Sequence, residues 1–507
     1  MNRRSPASPT SSRRCPGPEP RTPSGFPRGR AAPPGRGPGR LRRLGRVSDE
    51  PRPDDRAALR EVEAELASRW PETRLEPSLD RIRALMDVLG EPQRTYPAIH
   101  ITGTNGKTST ARIVERLLGG FQFRTGRYTS PHVQSVTERI SLDGEPISAE
   151  RFVEVYQELA PYVAMVDAAQ PHRMSFFEVL TGMAFAAFAD APVDVAVVEV
   201  GMGGGWDATN VVDATVAVVT PIALDHTDRL GSTPGEIAKE KAGIIKASRR
   251  AGEGAPGPVV VLAQQPVDAA QTLLKHAVEM DATVAREGME FGVLRRELAV
   301  DGQLLTLRGL GGEYPDLFLP LHGAHQAHNA AVALAAVEAF FGVGSSQTEP
   351  LDIDVVRSAL SRVTSPGRLE VVRHGPTVLV DAAHNPAGAA ATAGAVSEAF
   401  DFTRLVGVVG TSQGKDTAGL LEAFEPIFAE VVVTQNSSPR ATPVDELAAL
   451  AVDIFGAERV RVEPRLDDAL EAAVELAEEE GAFAGAGVLV TGSVITVGEA
   501  RLLLGKE

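Results

Sequence analysis

Between an apolar run at Ala98–Ile101 and a helix-period segment at Ala111–Leu118, the chain reads Ile-Thr-Gly-Thr-Asn-Gly-Lys-Thr-Ser at 101–109. A strand, a glycine-bearing loop and a helix in that succession turn backbone N–H groups inward and aim the positive end of a helix at one point, which makes a cradle for phosphate oxygens. Lys107 reaches toward terminal phosphates and Thr108 is placed to ligate Mg²⁺, so the loop reads as a nucleoside triphosphate site. The common phosphate loop carries a glycine about five residues before its Gly-Lys pair. Ile101 stands there in this chain and Gly103 serves instead, a shortened variant.

The surrounding texture supplies a sheet for that loop. Short apolar runs, Val195–Val200 and Val216–Val219 among them, alternate with helix-period segments such as Phe152–Val166 and Phe176–Phe188. This is the pattern of βαβ units on a parallel sheet, and the fold class is α/β. Upstream, Leu59, Val62 and Leu66 recur at helical spacing, as do Leu79, Ile82, Leu85, Met86 and Leu89. The stretch 283–320 lacks a helical period and predicts a β-rich excursion closing the first domain. The loop-like run at 342–348 predicts a boundary, and a second alternating series follows with Val378–Val380, Leu405–Val409, Val431–Thr434 and Val488–Thr491. The expected organisation is a tail at 1–48 and domains at 49–345 and 346–507.

Charge separates the tail from the body. Residues 1–48 hold twelve arginines against one acid, Glu19, a net +11, which leaves the other 459 residues at −27 of the overall −16. Ten prolines and seven glycines leave that tail too little apolar surface to fold, so it is expected to be disordered. It reads best as a gene start placed too far upstream, with the product beginning near Val47 or Ser48. The acidic body argues against a nucleic-acid partner. No apolar run approaches the ~18 residues of a membrane span. Cys15, the single cysteine, excludes an intramolecular disulfide and a cysteine-based zinc cluster and fits a reducing cytoplasmic setting. Any metal must sit on oxygen and nitrogen ligands.

A phosphate loop needs an acid for its metal. Glu199 closes the apolar run that begins at Val195, at the edge where parallel sheets bind ligands, and is the first Mg²⁺ candidate. After Val216–Val219 come Ala-Leu-Asp-His-Thr-Asp at 223–228 and a lysine-rich helix at 235–246. His226 beside acids is by default a satisfied loop residue, and the lysines a solvated face. A lysine converted by CO₂ to a carbamate would, however, become an acidic oxygen ligand.

Thr102–Thr108, Ser130-Pro-His132, Glu199–Asn210, Leu224–Asp228, Glu240–Ile244, His325–Asn329, Ser365–Leu369 and Asp381–Pro386 resemble, in order and spacing, the folylpolyglutamate synthase and dihydrofolate synthase members of the Mur ligase superfamily. The likeness spans roughly 75–505. It implies an N-terminal P-loop ATPase domain with a parallel sheet and a smaller C-terminal Rossmann-like domain, with the active site between them. It implies that Thr104, Asn105, Gly106, Lys107 and Thr108 hold the β- and γ-phosphates. Ser130, Glu199 and His226 would ligate two Mg²⁺ ions, and Lys241 would be the carbamylated lysine behind the second. Asn329, Arg368, Asp381 and His384 would contact ATP, while Ser175, Trp206, Asp207 and Ala208 would bind the pterin-bearing substrate. On the residues alone, Ser175 reads equally as a helix N-cap, Asp381 as a turn aspartate, and Asn329 as a back-bonding helix residue. One departure stands out: where the family reads Gly-Gly-Arg, this chain has Gly205. The loss removes a charge-assisted anion contact, so either another arginine such as Arg229 takes its place or activity toward the usual substrate is reduced.

The implied reaction activates a folate or dihydropteroate carboxylate as an acyl phosphate, which the amine of L-glutamate then attacks. Lys107, Lys241 and His226 are its expected catalytic residues, and Arg368, Arg229, Lys415 and Arg440 are candidates for a basic lining. The expected protein is a cytoplasmic monomer acting on small molecules, without nucleic acid or membrane. The alternatives are a Mur-type cell-wall amino-acid ligase and a nucleotide-binding protein that has lost ligation.

Overall fold

The strand Ala98–Thr102 is buried at every residue, which is what a parallel sheet covered on both faces requires of its central strand. In the computed structural model, which describes residues 53–71, 77–247, 258–344, 349–478 and 485–506, that strand sits inside an eight-stranded sheet. On one side it pairs in parallel with Val195–Glu199, followed by Thr125–Tyr128; on the other with Ala214–Val219, then Val259–Leu262 and Thr283–Arg286. Ile140–Leu142 and Glu145–Pro146 add an antiparallel margin. Alternation divides the core: Ile99 and Ile101 pack with the helices Lys107–Gly120 and Ala324–Phe340, whereas Ala98, Ala196 and Val198 pack with Ala149–Ala169 and Phe176–Asp190.

The β-rich excursion is shorter than expected. Residues 283–286 extend the main sheet in register with Val259–Leu262, and only Gly292–Ala299, Gly302–Arg308 and Glu313–Leu319 form a separate antiparallel sheet. The helix after the phosphate loop starts at Lys107, four residues before its apolar period begins, because Gly106 already delivers the chain into helical geometry.

A six-stranded sheet follows, ordered Glu370–His374, Thr377–Val380, Ala486–Thr491, Arg404–Val409, Glu430–Val433, Val460–Val462, parallel except for its first strand. Its two faces carry their own cores, one around Leu379, Val409 and Phe424, the other around Val380, Val408 and Val490. Among the described residues no helix is long and apolar enough to cross a membrane. The 1–48 tail with Cys15, the start near Val47 or Ser48, and residues 345–348 of the expected boundary lie outside the described residues.

Candidate active site

The phosphate loop is shaped by two glycines. Gly103 adopts φ +143° and Gly106 φ +87°. A Cβ on Gly103 would lie 1.9 Å from Thr220 Oγ1, and one on Gly106 would lie 2.4 Å from Asn329 Oδ1. Neither position admits a side chain, so the loop can press against the next strand end and against the helix that carries Asn329. The N–H groups of Thr104 and Asn105 donate to Pro221 O at 3.0 and 3.3 Å, which locks the loop to the end of the neighbouring strand. Lys107 Nζ donates to the carbonyls of Gly103 and Thr104 at 3.3 and 3.1 Å, so its charge caps the loop.

Parallel register brings the acid to this loop. Ile101 pairs with Glu199, so the carboxylate emerges one strand over from the loop's first residues. Thr108 Oγ1 donates to both Glu199 oxygens at 3.0 Å, and the Ser130 N–H approaches at 3.4 Å. Burial pushes the Glu199 carboxyl up against the opposing pull of Lys107. Lys241 is buried and donates to Gly103 O at 2.6 Å; burial, then the charge of Lys107, lowers its ammonium to about 7. His226 takes left-handed geometry, φ +51° and ψ +40°, a strained setting for a residue with a Cβ. Burial and the nearby Lys415 lower its imidazole to about 3, so it stays neutral and able to act as a ligand. Among the described residues no group of three or more His, Cys, Asp or Glu side chains is arranged to hold a metal ion by itself. The donors present, one buried carboxylate with Thr and Ser hydroxyls, suit a hard cation that keeps water and takes phosphate oxygens.

The second sheet supplies the opposite wall. Asp381 follows Thr377–Val380, and its carboxylate accepts from the N–H groups of Leu369 and Ala383 and from Thr392 Oγ1 at 2.8 to 2.9 Å. His384 Nδ1 lies 3.0 Å from Ala382 O, with Nε2 3.5 Å from Asp225. Asn385 and Asn105 exchange amide hydrogen bonds at 3.0 and 3.3 Å, and Lys415 Nζ reaches Asp225 at 2.6 Å. Burial alone would raise Asp225; the His384 hydrogen bond and the Lys415 charge outweigh it and hold the carboxyl well below the usual range.

Most of these groups border one cavity of about 550 Å³; Asn385 and Lys415 stand behind its wall. Thr104, Asn105, Gly106, Lys107, Thr108, Ser130, Glu199, His226, Lys241, Asn329, Arg368, Asp381 and His384 all line it. Ser175, Trp206, Asp207 and Ala208 do not. Ser175 instead caps the helix Phe176–Asp190 in a reciprocal box with Glu178, and Asp207 caps a short turn through Thr209. Arg229 pairs with Asp228 on the surface, and Arg440 with the Gln413 carbonyl; neither lines the cavity. The cavity also takes in Gln264 and Glu287, outside every segment that carries the resemblance, and His328, which lies in one of them without an expected role. A histidine one residue before Asn329 was the one available signal.

Two family models match: the Mur ligase middle domain over residues 101–337 and the Mur ligase, glutamate ligase domain over 367–494. The dihydrofolate synthase/folylpolyglutamate synthase of Mycobacterium tuberculosis is 55% identical over 472 residues, 90% of this chain and 96% of that one. The protein of the same description from Escherichia coli is 31% identical over 369 residues, 73% of this chain and 80% of that one. The crystal structure of the Mycobacterium tuberculosis folylpolyglutamate synthase complexed with ADP and AMPPCP superposes with a TM-score of 0.84 at 54% identity, covering 90% of this chain and 100% of that one.

Proposed function

The chain belongs to the dihydrofolate synthase/folylpolyglutamate synthase family of Mur ligases, and from that premise we propose how its cavity works as an ATP-dependent glutamate ligase. The observation that carries the reading is the juxtaposition of Lys107, Thr108 and Glu199 on one wall with Arg368 and Asp381 on the other, around a single cavity. ATP lies with its phosphates on Thr104–Thr108. Lys107 leaves the loop carbonyls for the phosphate oxygens, and its charge offsets the negative charge that gathers during transfer of the γ-phosphoryl group. The acceptor is the carboxylate of dihydropteroate or of a folate. Its oxygen bonds to the γ-phosphorus as the bond to ADP breaks, giving an acyl phosphate. The amine of L-glutamate attacks the acyl carbon, phosphate leaves, and an amide remains.

Two Mg²⁺ ions, when bound, draw charge from the phosphate oxygens; Thr108, Ser130, Glu199 and His226 are the residues that would hold them. Lys241, with an amine half-neutral near pH 7, has the nucleophilic form that takes up CO₂ as a carbamate, which turns a buried cation beside Lys107 into a carboxylate ligand. Asn329, Arg368, Asp381 and His384 contact the nucleotide. Ser175, Trp206, Asp207 and Ala208, which do not line this cavity, are the residues assigned to the pterin-bearing substrate by the family resemblance. Residues 49–345 and 346–507 act as the two lips, in a cytoplasmic monomer.

The test is phosphate release from ATP and Mg²⁺ with L-glutamate, comparing dihydropteroate with tetrahydrofolate as acceptor. Release with both makes the protein bifunctional. Lys107→Ala is expected to lower kcat by roughly 10²–10³-fold. Turnover only with a muramyl peptide, or nucleotide binding without release, would overturn the reading. A ¹³CO₂-labelled carbonyl resonance that disappears in Lys241→Ala checks the carbamate.

A further inference from the structure

His100 is fully buried in the strand Ala98–Thr102, and no step of the ligase mechanism uses it. Alternation along the strand puts it on the same face as Thr102. Both residues reach the segment that follows Glu199: Thr102 Oγ1 donates to Gly203 O at 2.8 Å, and His100 Nε2 lies 2.9 Å from Thr209 Oγ1. Thr209 Oγ1 donates in turn to Asp207 at 2.5 Å, and the same carboxylate accepts the N–H groups of Thr209 at 3.0 Å and of Met202 at 2.9 Å. Asp207 is 3% exposed, so these acceptor sites face into the chain. Burial raises its carboxyl, and the three donors act against that rise. A threonine hydroxyl has one hydrogen, and the carboxylate takes it. The hydroxyl oxygen can then only accept from the imidazole, which puts the histidine's hydrogen on Nε2 and leaves Nδ1 bare. Nδ1 is buried without a partner among the described residues. An unpaired buried nitrogen costs about 1–3 kcal/mol, so an apolar side chain would serve better here if the site needed only filling.

The segment held in this way borders the reaction site. Gly201, Met202 and Gly203 line the cavity directly after Glu199. Beyond them the loop lies flat on the backbone that carries Lys241: a Cβ on Gly204 would come within 2.8 Å of the carbonyls of Glu240 and Lys241, and the Gly205 N–H donates to Glu240 O at 3.1 Å. Asn210 Nδ2 fixes the far end by donating to Gly205 O and Gly243 O at 3.0 Å. We infer that His100 is a positioning residue for the reaction: through Thr209 and Asp207 it holds the loop 201–206 in the one arrangement that sets Glu199 and Lys241 on the same cavity. The inference rests on the ligase reading above and gives Asp207 a task inside the chain. Without the imidazole donor the Thr209 hydroxyl is free to turn away from Asp207, and the carboxylate loses one of the bonds that aim it at the Met202 N–H.

The experiment compares the full chain with His100→Leu, His100→Asn, His100→Gln and Thr209→Val, by hydrogen–deuterium exchange and by phosphate release with dihydropteroate as acceptor. In His100→Leu the peptide spanning 201–207 should exchange about tenfold faster, as local opening becomes easier by one hydrogen bond, while the six-stranded sheet exchanges as before. kcat should fall by roughly 10–10²-fold, with KM for ATP within about twofold of the parent. Glutamine carries an amide N–H to the reach of Nε2 and should restore most of both; asparagine places its amide where Nδ1 stands and should behave as leucine does. Thr209→Val keeps the side-chain shape without the hydroxyl and should reproduce His100→Leu, with little added in the double variant, so the link is tested even if His100→Leu does not fold. Faster exchange spread evenly over both sheets, parental kcat in the folded variants, or a glutamine variant no better than leucine would overturn the inference and leave His100 as a core residue. A parent chain that releases no phosphate, while exchange at 201–207 rises with leucine and returns with glutamine, would sink the ligase reading and keep the link from His100 to the loop.

Discussion

Gly205 shows how a single residue's meaning depends on what its missing side chain would touch. Its N–H donates to Glu240 O at 3.1 Å, and a Cβ there would meet Glu240 Oε1 at 3.1 Å, the far end of a flexible side chain. Its backbone does not need glycine: Gly203 adopts positive φ, and Gly205 does not. A side chain at 205 therefore projects toward a carboxylate, where a guanidinium would pair. Gly205→Arg is expected to fold with a melting temperature within about 2 °C of the parent, since the new pair is partly solvated and worth under ~1 kcal/mol. KM for the folate acceptor should fall as the anion contact returns. A drop in stability of several degrees would show that Glu240 cannot move aside. Arg229 offers no substitute contact, because its guanidinium is held by Asp228 outside the cavity.

At the scale of the element, one signal served two purposes. Ser175 and Glu178 close a reciprocal capping box at the start of Phe176–Asp190, and Glu178 also takes the buried Arg81 at 3.0 Å. Ser175→Ala should cost about 1 kcal/mol of unfolding free energy by the loss of that cap. Comparing KM for dihydropteroate in the same variant separates the two roles: an unchanged KM leaves Ser175 as a cap alone. The strand Ala98–Thr102 carries a second test in His100, fully buried, with Nε2 2.9 Å from Thr209 Oγ1. Burial, with Lys246 adding to it, lowers its imidazole to about 3. The unfolded chain binds that proton near pH 6.5 and the folded one does not, so the stability it contributes is complete above ~6.5 and is lost as pH falls toward 3. Between pH 7 and pH 5 the parent should lose about 2 kcal/mol more than His100→Gln, which keeps a polar partner for Thr209 but does not titrate. Urea midpoints at the two pH values measure it; equal losses would assign the acid sensitivity elsewhere.

The same scale explains what could be read from the chain. The phosphate loop and Glu199 were legible because each is bound to a strand end by local spacing, and parallel register then delivers them to one edge; His226 by itself read as a satisfied loop residue and drew its role only from the family resemblance. Glu287 and His328 were not legible. They lie 41 residues apart on a strand end and a helix, and nothing in either segment announces the partner. The β character of 283–320 was legible, but not that 283–286 joins the main sheet, since which sheet accepts a strand is decided by a pairing partner distant in sequence.

Over the whole molecule, the eight- and six-stranded sheets keep separate apolar cores, and around the cavity the two halves meet through polar contacts, while Val133 packs on the core of the second sheet away from it. Besides Asn105–Asn385 and Asp225–Lys415, Ser109 and Ser365 hydroxyls lie 3.1 Å apart. Contacts of this kind exchange with water readily, which permits motion about the cavity. Away from the cavity one residue ties both lips. Arg501, on the last helix Val494–Leu503, forks onto Glu370 at 2.9 and 3.1 Å and also bonds Gln134. Glu370 in turn accepts the Gly367 N–H at 2.8 Å, next to Arg368, and Gln134 lies four residues beyond Ser130. The same helix passes so close that a Cβ on Gly498 would lie 1.9 Å from Val133 O. Arg501 is 7% and Glu370 24% exposed, so truncating the arginine leaves a mostly buried carboxylate without its partner. Arg501→Ala should therefore cost about 3 kcal/mol in a denaturant titration. It should also loosen the segment that presents Ser130, so the Mg²⁺ concentration for half-maximal phosphate release rises and KM for ATP rises with it, as the population with both lips in place falls. Arg501→Lys, which keeps the charge but not the fork, should fall between. A stability loss with unchanged Mg²⁺ and ATP dependence would mean that the last helix braces the fold without setting the cavity.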